Sequence, residues 1–354
     1  MRIESNRLRD FVRSIFAHAG SRRAEAEAVA DHLVEANLMG HDSHGVIRVV
    51  KYIGWLGDGK LHANRHARIV LDGGVIVIVD GGGGYGQVIG AEAMRIGIDR
   101  AAANGAAVVA IRNTGHLGRI GAWAEMAADD GKVSVHFVNT SGFGILVAPF
   151  GGSDRRLSVN PIAAGVPVRG GEPLILDMAT TVIAQGKVMV ARNKGVELPE
   201  GCIIDGRGRP SRDPEAFYAD PPGAMLPFGG HKGSGLSLIC EVLAGALTGG
   251  GSSHPDNPTA DRLANNMLSV LFDPDRFVGS DAFAEDLARL ISWVKASPPA
   301  RPGGAVLLPG EVERHTRAER LANGIPLDET TLEQLRSAAR SVSVPQAEIA
   351  GIGA

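Results

Sequence analysis

Apolar positions along the chain follow two rhythms, one of period about 3.6 and one of period 2, and their order predicts a mixed α/β protein. Residues 5–40 read as two amphipathic helices, with Leu8, Phe11, Val12 and Ile15 on one stripe and Ala26, Val29, Ala30, Leu33 and Val34 on the other. Segment 69–80 changes to strand spacing, Ile69 to Leu71 and then Val75 to Val79, around a turn at Gly73-Gly74. A helix over about 88–103, a strand over 106–111, a helix over about 119–130 and a strand over 133–138 follow. Strand-like pieces at 161–166 and 174–176 are broken by Pro and Gly, and 198–228 is loop-rich. The pattern then gives an apolar helix from Leu236 to about Leu247 and a strand at Val270-Leu271-Phe272. A helix over 281–296 carries Phe283, Leu287, Leu290, Ile291 and Val294 on one face. The last helix starts near 331, with a capping box at Thr330 and Glu333. The polar loop 250–262 reads as a flexible insertion, and no repeat of 20 to 50 residues is visible.

Composition narrows this picture. A chain of 354 residues with 44% hydrophobic and 21% charged residues is an ordinary globular protein of more than one core. A net charge of −3 gives no reason to expect nucleic acid or an anionic membrane as partner. Cys202 and Cys240 allow at most one disulfide, which fits a reducing compartment. Charged residues Arg2, Glu4, Arg7, Arg9 and Asp10 interrupt any signal-like apolar run, and no segment reaches a membrane span. The expectation is a cytoplasmic protein. The 48 glycines are nearly double ordinary usage and cluster at 81–86, 142–152, 229–235 and 249–251, which suggests close backbone approaches to a ligand as well as turns.

Three clusters could carry chemistry. In His41-Asp42-Ser43-His44-Gly45-Val46-Ile47-Arg48 and onward to Tyr52, a helix capped by Ser43 would stack His44, Arg48 and Tyr52 on one face. Such a stripe suits a carboxylate anchored by Arg48 beside a proton-handling group, although a solvated helix face has the same spacing. In Asn113-Thr114-Gly115-His116-Leu117-Gly118-Arg119-Ile120-Gly121, His116 stands at a strand end, where α/β enzymes present reacting groups. A histidine there could donate and recover the proton of a carbonyl reduction, or simply be structural. In Gly229-Gly230-His231-Lys232-Gly233-Ser234-Gly235, a helix start beside a lysine suits a phosphate and is not a Walker A loop. Gly81, Gly83 and Gly86 satisfy G-x-G-x-x-G, but four consecutive glycines satisfy almost any glycine pattern, and Asp99 falls inside the following helix. His62 and His66 lack the acidic residue of a metal motif, and no G-x-S-x-G elbow occurs.

Six motifs stand in order: His41-Asp42-Ser43-His44-Gly45, Gly115-His116-x-Gly118, Asn160-Pro161, Leu176-Asp177-Met178-Ala179-Thr180, Gly230-His231-Lys232-Gly233 and Leu308-Pro309-Gly310-Glu311. Together they make the chain, from about residue 5 to 345, resemble the second-type malate/L-lactate dehydrogenases, which are not Rossmann proteins. The runs 118–125 and 293–298, with His231 before Lys232, match one bacterial branch more closely. The resemblance implies an α/β fold with a largely antiparallel sheet in the dinucleotide-binding domain and a helical domain made by both chain ends. Its expected boundaries are 1–75, 76–260 and 261–354, the last segment folding back on the first. It implies a homodimer, NAD or NADP as cofactor, and hydride transfer between nicotinamide and a 2-oxo/2-hydroxy acid. His116 would be the acid/base, with His44 a competing assignment, and Arg48 would bind the substrate carboxylate near Tyr52. Cofactor contacts would map to His44, Gly118, Arg119, Ile120, Asp177, Met178, Ala179, His231, Lys232, Asn265, Leu308, Pro309, Gly310 and Glu311. The chain departs from many members at Ser158-Val159, where Gly-Thr is common, and at Ser234, where Tyr is common. Reduction of a cyclic imine carboxylate, a ureidoglycolate-type dehydrogenase, and a nucleotide-binding protein without catalysis are the other readings.

Overall fold

A computed structural model describes residues 1–142, 144–257 and 261–353, the side chains of Asn193 and Lys194 apart. In chain order the first elements are β1 (Arg2–Ile3), α1 (Ser5–His18), α2 (Arg23–Leu38), α3 (Val49–Gly57), β2 (Arg68–Gly73), β3 (Ile76–Asp80) and α4 (Gly86–Asn104). Next come β4 (Ala106–Thr114), α5 (Gly121–Asp129), β5 (Val133–Gly142), β6 (Ile162–Val166), β7 (Leu174–Met178) and α6 (Gln185–Lys194). The short elements β8 (Ile203–Ile204), β9 (Pro210–Ser211), α7 (Glu215–Tyr218) and β10 (Ala224–Met225) lead into α8 (His231–Cys240) and a π turn, Glu241–Ala246. The chain closes with β11 (Leu263–Phe272), α9 (Ser280–Lys295), α10 (Glu311–Asn323), β12 (Ile325–Pro326), α11 (Glu329–Ser341) and α12 (Gln346–Gly351).

Seven strands form one sheet in the order β2-β3-β4-β11-β5-β6-β7. Only β3 and β4 run parallel, joined by α4, and every other neighbouring pair is antiparallel. The sheet is thus the largely antiparallel, non-Rossmann one that the motifs implied. Period-2 alternation explains its two faces. Val109, Ile111, Val138, Met267 and Leu271 pack under α4 and α5, while the π turn lies on the other face against β5 and β11.

A second core unites the chain ends. Leu8, Val12, Ile15 and Phe16 of α1 and Val29, Leu33 and Val34 of α2 share it with Leu332, Leu335, Ile349 and Ile352. Strands β1 and β12 close it.

Several sequence-based expectations shift. The strand expected at 270–272 is only the end of β11, the central strand, which β5 flanks over ten residues. By pairing it belongs with the sheet, although the boundary drawn at 261 assigned it to the last segment. The helix expected from Leu236 already begins at His231. The helix at 329 is capped by Asp328, whose carboxylate accepts the Thr331 N–H, and not by Thr330, because Asp328 holds the extended backbone that a cap needs. The predicted face of α9 is only partly covered within the chain: Phe283, Leu287 and Ile291 are half-buried, while Leu290 and Val294 are exposed. The expected insertion at 250–262 falls partly on 258–260, outside the described residues.

Candidate active site

Ser43 does not cap a long helix. Residues Asp42–His44 and Val46–Arg48 form two 3-10 turns before α3, because Asn37 intervenes: its Oδ1 accepts the Val46 N–H and its Nδ2 donates to Asp42. The stripe logic was therefore wrong in detail, yet the side chains converge. The imidazole of His44 stacks on that of His116, centroids 5.4 Å apart and 19° from parallel. Tyr52, buried among Phe16, Trp55 and Tyr85, sets its hydroxyl 2.7 Å from His116 Nδ1. Ser43 Oγ lies 2.9 Å from His44 Nδ1, and Arg48 Nε donates to the Ser43 carbonyl.

His116 follows β4 in a loop pinned from every side. Gly115 N–H donates to Gly84 O, Leu117 N–H to Asn265 Oδ1, and Arg119 N–H to His32 Nε2. Asn265 is thereby a brace for this loop. Its Nδ2 donates to Thr140 Oγ1 and Asn139 O, so the amide expected at the cofactor is already engaged. His32, packed against Trp123 with the rings tilted by 31°, was missed in the sequence, where a histidine on an apolar helix carries no distinguishing signal.

The electrostatics are one-sided. Burial and then Arg48 hold both His44 and His116 well below the usual histidine range. His32 is pulled down to about 3 by burial and Arg119. All three rings are neutral at pH 7. Arg48 and Lys51 line a cavity with Ser43, Ile47, Gln185, Gly186 and Met189. Among the described residues no carboxylate pairs with either cation. Burial and Arg48 lower the Lys51 value, the response expected where a counter-charge is missing. Lys51 and the α6 residues were not foreseen, since only folding brings 185–189 against 43–48.

The remaining candidates gather along β7, the sheet edge. Gly121 N–H donates to Asp177 Oδ2, which ties the 118–121 turn to β7. Ile175 N–H donates to Pro309 O, which places Leu308, Pro309 and Gly310 beside the same strand. Glu311 accepts from Leu308 N and Lys295 Nζ, so its carboxylate is occupied. Arg119 is buried and paired with Glu125. Beyond Met178 and Ala179 the chain pairs with 226–228, bringing the start of α8 to the same end. The backbone cradle expected there is mostly used internally: Lys232, Gly233 and Ser234 donate to Gly229, Phe228 and Gly230 carbonyls. What stays available is the exposed Lys232 ammonium, which has no partner among the described residues, and His231 beside Phe150. No trio of His, Cys, Asp or Glu forms a metal site among the described residues.

Residues 3–336 match the malate/L-lactate dehydrogenase family. The chain belongs to that family. Hydroxycarboxylate dehydrogenase B of Escherichia coli (strain K12) is 42% identical over 347 residues, covering 98% of this chain and 95% of the relative. The solved sulfolactate dehydrogenase of Methanocaldococcus jannaschii superposes with a TM-score of 0.86 at 32% identity, covering 97% of this chain and 98% of its own. The delta1-piperideine-2-carboxylate reductase of Pseudomonas syringae superposes at 0.83 with 33% identity, covering 96% and 100%. Membership in this dehydrogenase family makes the chain an oxidoreductase of the 2-hydroxy acid type, and a nicotinamide cofactor goes with it. No helix among the described residues is long and apolar enough to cross a membrane.

Proposed function

We propose that the chain is an NAD- or NADP-dependent 2-hydroxycarboxylate dehydrogenase in which His116 moves the proton and Arg48, with Lys51, holds the substrate carboxylate. The observation that carries this reading is the pair of cations without a counter-charge beside two stacked neutral histidines. A carboxylate completes that site electrically, and the guanidinium offers it a bidentate fork.

Binding would also arm the acid. Arg48 and Lys51 are among the charges that hold His116 neutral, so a substrate anion cancelling them raises its proton affinity. His116 then delivers a proton to the oxygen that becomes the hydroxyl, and recovers it in the reverse reaction. The bound nicotinamide supplies or accepts the hydride at C2. Asp177, Met178, Ala179, the 118–120 turn and 308–310 would hold the dinucleotide, with Lys232 countering a phosphate and His44 facing the reactive ring. The donor set fits: a sheet edge, a free ammonium and a polar end at the histidines. The apolar faces of α9 and of α8 with its π turn, exposed at Leu238, Ile239 and Val242, support a homodimer. A cytoplasmic location is part of the same reading.

The second reading, reduction of a cyclic imine carboxylate, rests on the likeness to the Pseudomonas syringae reductase. It needs the same anion anchor and proton donor. NADH or NADPH oxidation with a panel of 2-oxo acids and cyclic imines decides between them. The first reading expects turnover of oxo acids; turnover of imines alone replaces it, and tight dinucleotide binding without turnover refutes both. His116→Ala should lower kcat by roughly 10² to 10⁴-fold and flatten one limb of the pH–rate profile, the signature of a lost general acid. His44→Ala should weaken binding and keep that limb; the reverse pattern would move the role to His44.

A further inference from the structure

The amide of Gln87 and the ring of His116 meet at one atom, the Tyr52 hydroxyl. Gln87 sits in the first turn of α4 and is only 2% exposed. Its Nε2 donates to the Tyr52 hydroxyl over 3.0 Å, and that hydroxyl lies 2.7 Å from His116 Nδ1. Gln87 Oε1 is buried with no hydrogen-bond partner. We infer that Gln87 is a positioning residue that selects the tautomer of His116 through Tyr52. This rests on the reading of His116 as the acid/base.

The argument is a count of hydrogens. Tyr52 has one, and burial pushes its hydroxyl up to about 12, so it remains a neutral phenol at working pH. While the amide donates to the phenol oxygen, the phenol hydrogen is directed to Nδ1. Nδ1 must then accept, and a neutral imidazole carries its hydrogen on Nε2, the nitrogen left for a substrate oxygen. Turning the amide over reverses the chain. Oε1 accepts the phenol hydrogen, Nδ1–H donates to the phenol oxygen, and Nε2 is left bare. In reduction the proton leaves Nε2 of the charged ring, which carries hydrogen on both nitrogens and ends as the neutral Nδ1–H form. Oxidation starts from that same form, with a lone pair on Nε2, so the turned amide is the one that accompanies proton transfer. Either orientation leaves one buried amide atom unpaired, Oε1 in the first and part of the NH2 group in the second. The orientation seen here favours hydrogen on Nε2, and one side-chain rotation exchanges the two tautomers. A glutamine does this where a methionine or a carboxylate could not, because it offers donor and acceptor in the same volume.

Nitrogen-15 correlation spectra of histidine-labelled protein, with His116 identified by its loss in His116→Ala, read the tautomer without any turnover. The wild type should show hydrogen on Nε2. Gln87→Glu, once ionised, can only accept, and should move the hydrogen to Nδ1. Gln87→Met should give a mixture, as should Tyr52→Phe, which deletes the middle link in nearly the same volume. In the Met variant kcat should fall roughly tenfold, the weight of one neutral hydrogen bond, with KM little changed and the His116 limb displaced along the pH axis. Identical His116 nitrogen shifts in the wild type and all folded variants would overturn the inference while leaving the acid/base reading intact. A pH limb that survives in His116→Ala would instead overturn the acid/base reading, and with it the catalytic consequence drawn for Gln87.

Discussion

Replacing Gly86 by alanine tests whether the His116 loop is held by shape as well as by hydrogen bonds. Gly86 opens α4, and a Cβ placed there would lie 2.4 Å from His116 O and 2.6 Å from Leu117 Cα. Ordinary contact is roughly 3.5 Å, so helix and loop must part by about 1 Å. Both obstructing atoms are backbone, so no side chain can swing away. Overpacking of this kind costs about 1–3 kcal/mol of stability. A catalytic group displaced by about 1 Å loses on the order of 10²-fold in rate. Gly165→Ala is the control: its Cβ would meet Ala124 O at 2.3 Å, an equally hard contact between β6 and α5 that does not touch the His116 loop. Thermal unfolding and kcat measured on the folded fraction separate the two effects. Both variants should melt lower, and only Gly86→Ala should lose kcat out of proportion to its stability. A Gly86→Ala enzyme with full kcat would refute the claim that this approach fixes the histidine.

Arg48→Lys should raise KM for the oxo acid more than it lowers kcat, because a lysine keeps the charge and loses the fork; an unchanged KM removes Arg48 as anchor. Lys232→Ala should weaken dinucleotide binding by up to roughly fivefold, the range of an exposed ion pair, with melting unchanged; equal affinities by calorimetry would contradict it. Stability should fall in acid: His32 and His136 are pulled down to about 3, and His44 and His116 well below their usual value, so the folded state stays neutral where the unfolded chain protonates near 6.5. These groups cost nothing above about pH 7, and below about 6.5 each removes up to about 1.4 kcal/mol per pH unit until its folded value is reached. Denaturant melts between pH 7.5 and 4.5 check the slope, and a flat profile would show that these rings are not held neutral.

What could be read from the sequence follows the range of the interaction involved. Helices α1 and α2 and strands β2 and β3 carry their own periodicity, and their positions came out within a few residues. The full length of β11 did not. Asn265, Asn266 and Ser269 sit among its apolar residues, polar because each bonds another part of the chain: Leu117, Asn139 and His136. A polar residue inside a strand reads as a strand end until its distant partner is known. The site shows the same split. His116, His44 and Arg48 were visible because they cluster in motifs, whereas Lys51, Gln87 and His32 are isolated letters whose roles exist only through contacts. The face of α9 is the converse case, a strong local pattern that the described residues cover only in part.

The glycine motif at 81–86 shows how a correct local context can still mislead. It follows β3, opens α4 and lies in the one parallel β-α-β unit of the sheet, the setting in which such glycines cradle a pyrophosphate. Here every backbone N–H from Gly81 to Gly84 is spent inside the protein. Gly81 donates to Arg112 O, Gly82 to Asp80 Oδ1, Gly83 to Asn113 O and Gly84 to Gly81 O. A Cβ at Gly83 would meet His62, and one at Gly84 would meet Arg65. Residues 62–65 and the 113–117 loop pack directly against these glycines. Asp99, the acidic residue that completed the pattern, faces solvent from the middle of α4. The glycines serve a different close approach, that of protein backbone carrying His116. The same packing sets the histidine in place, and the dinucleotide contacts proposed above lie elsewhere, at the start of α8 and at β7, the edge opposite β2 in the sheet order.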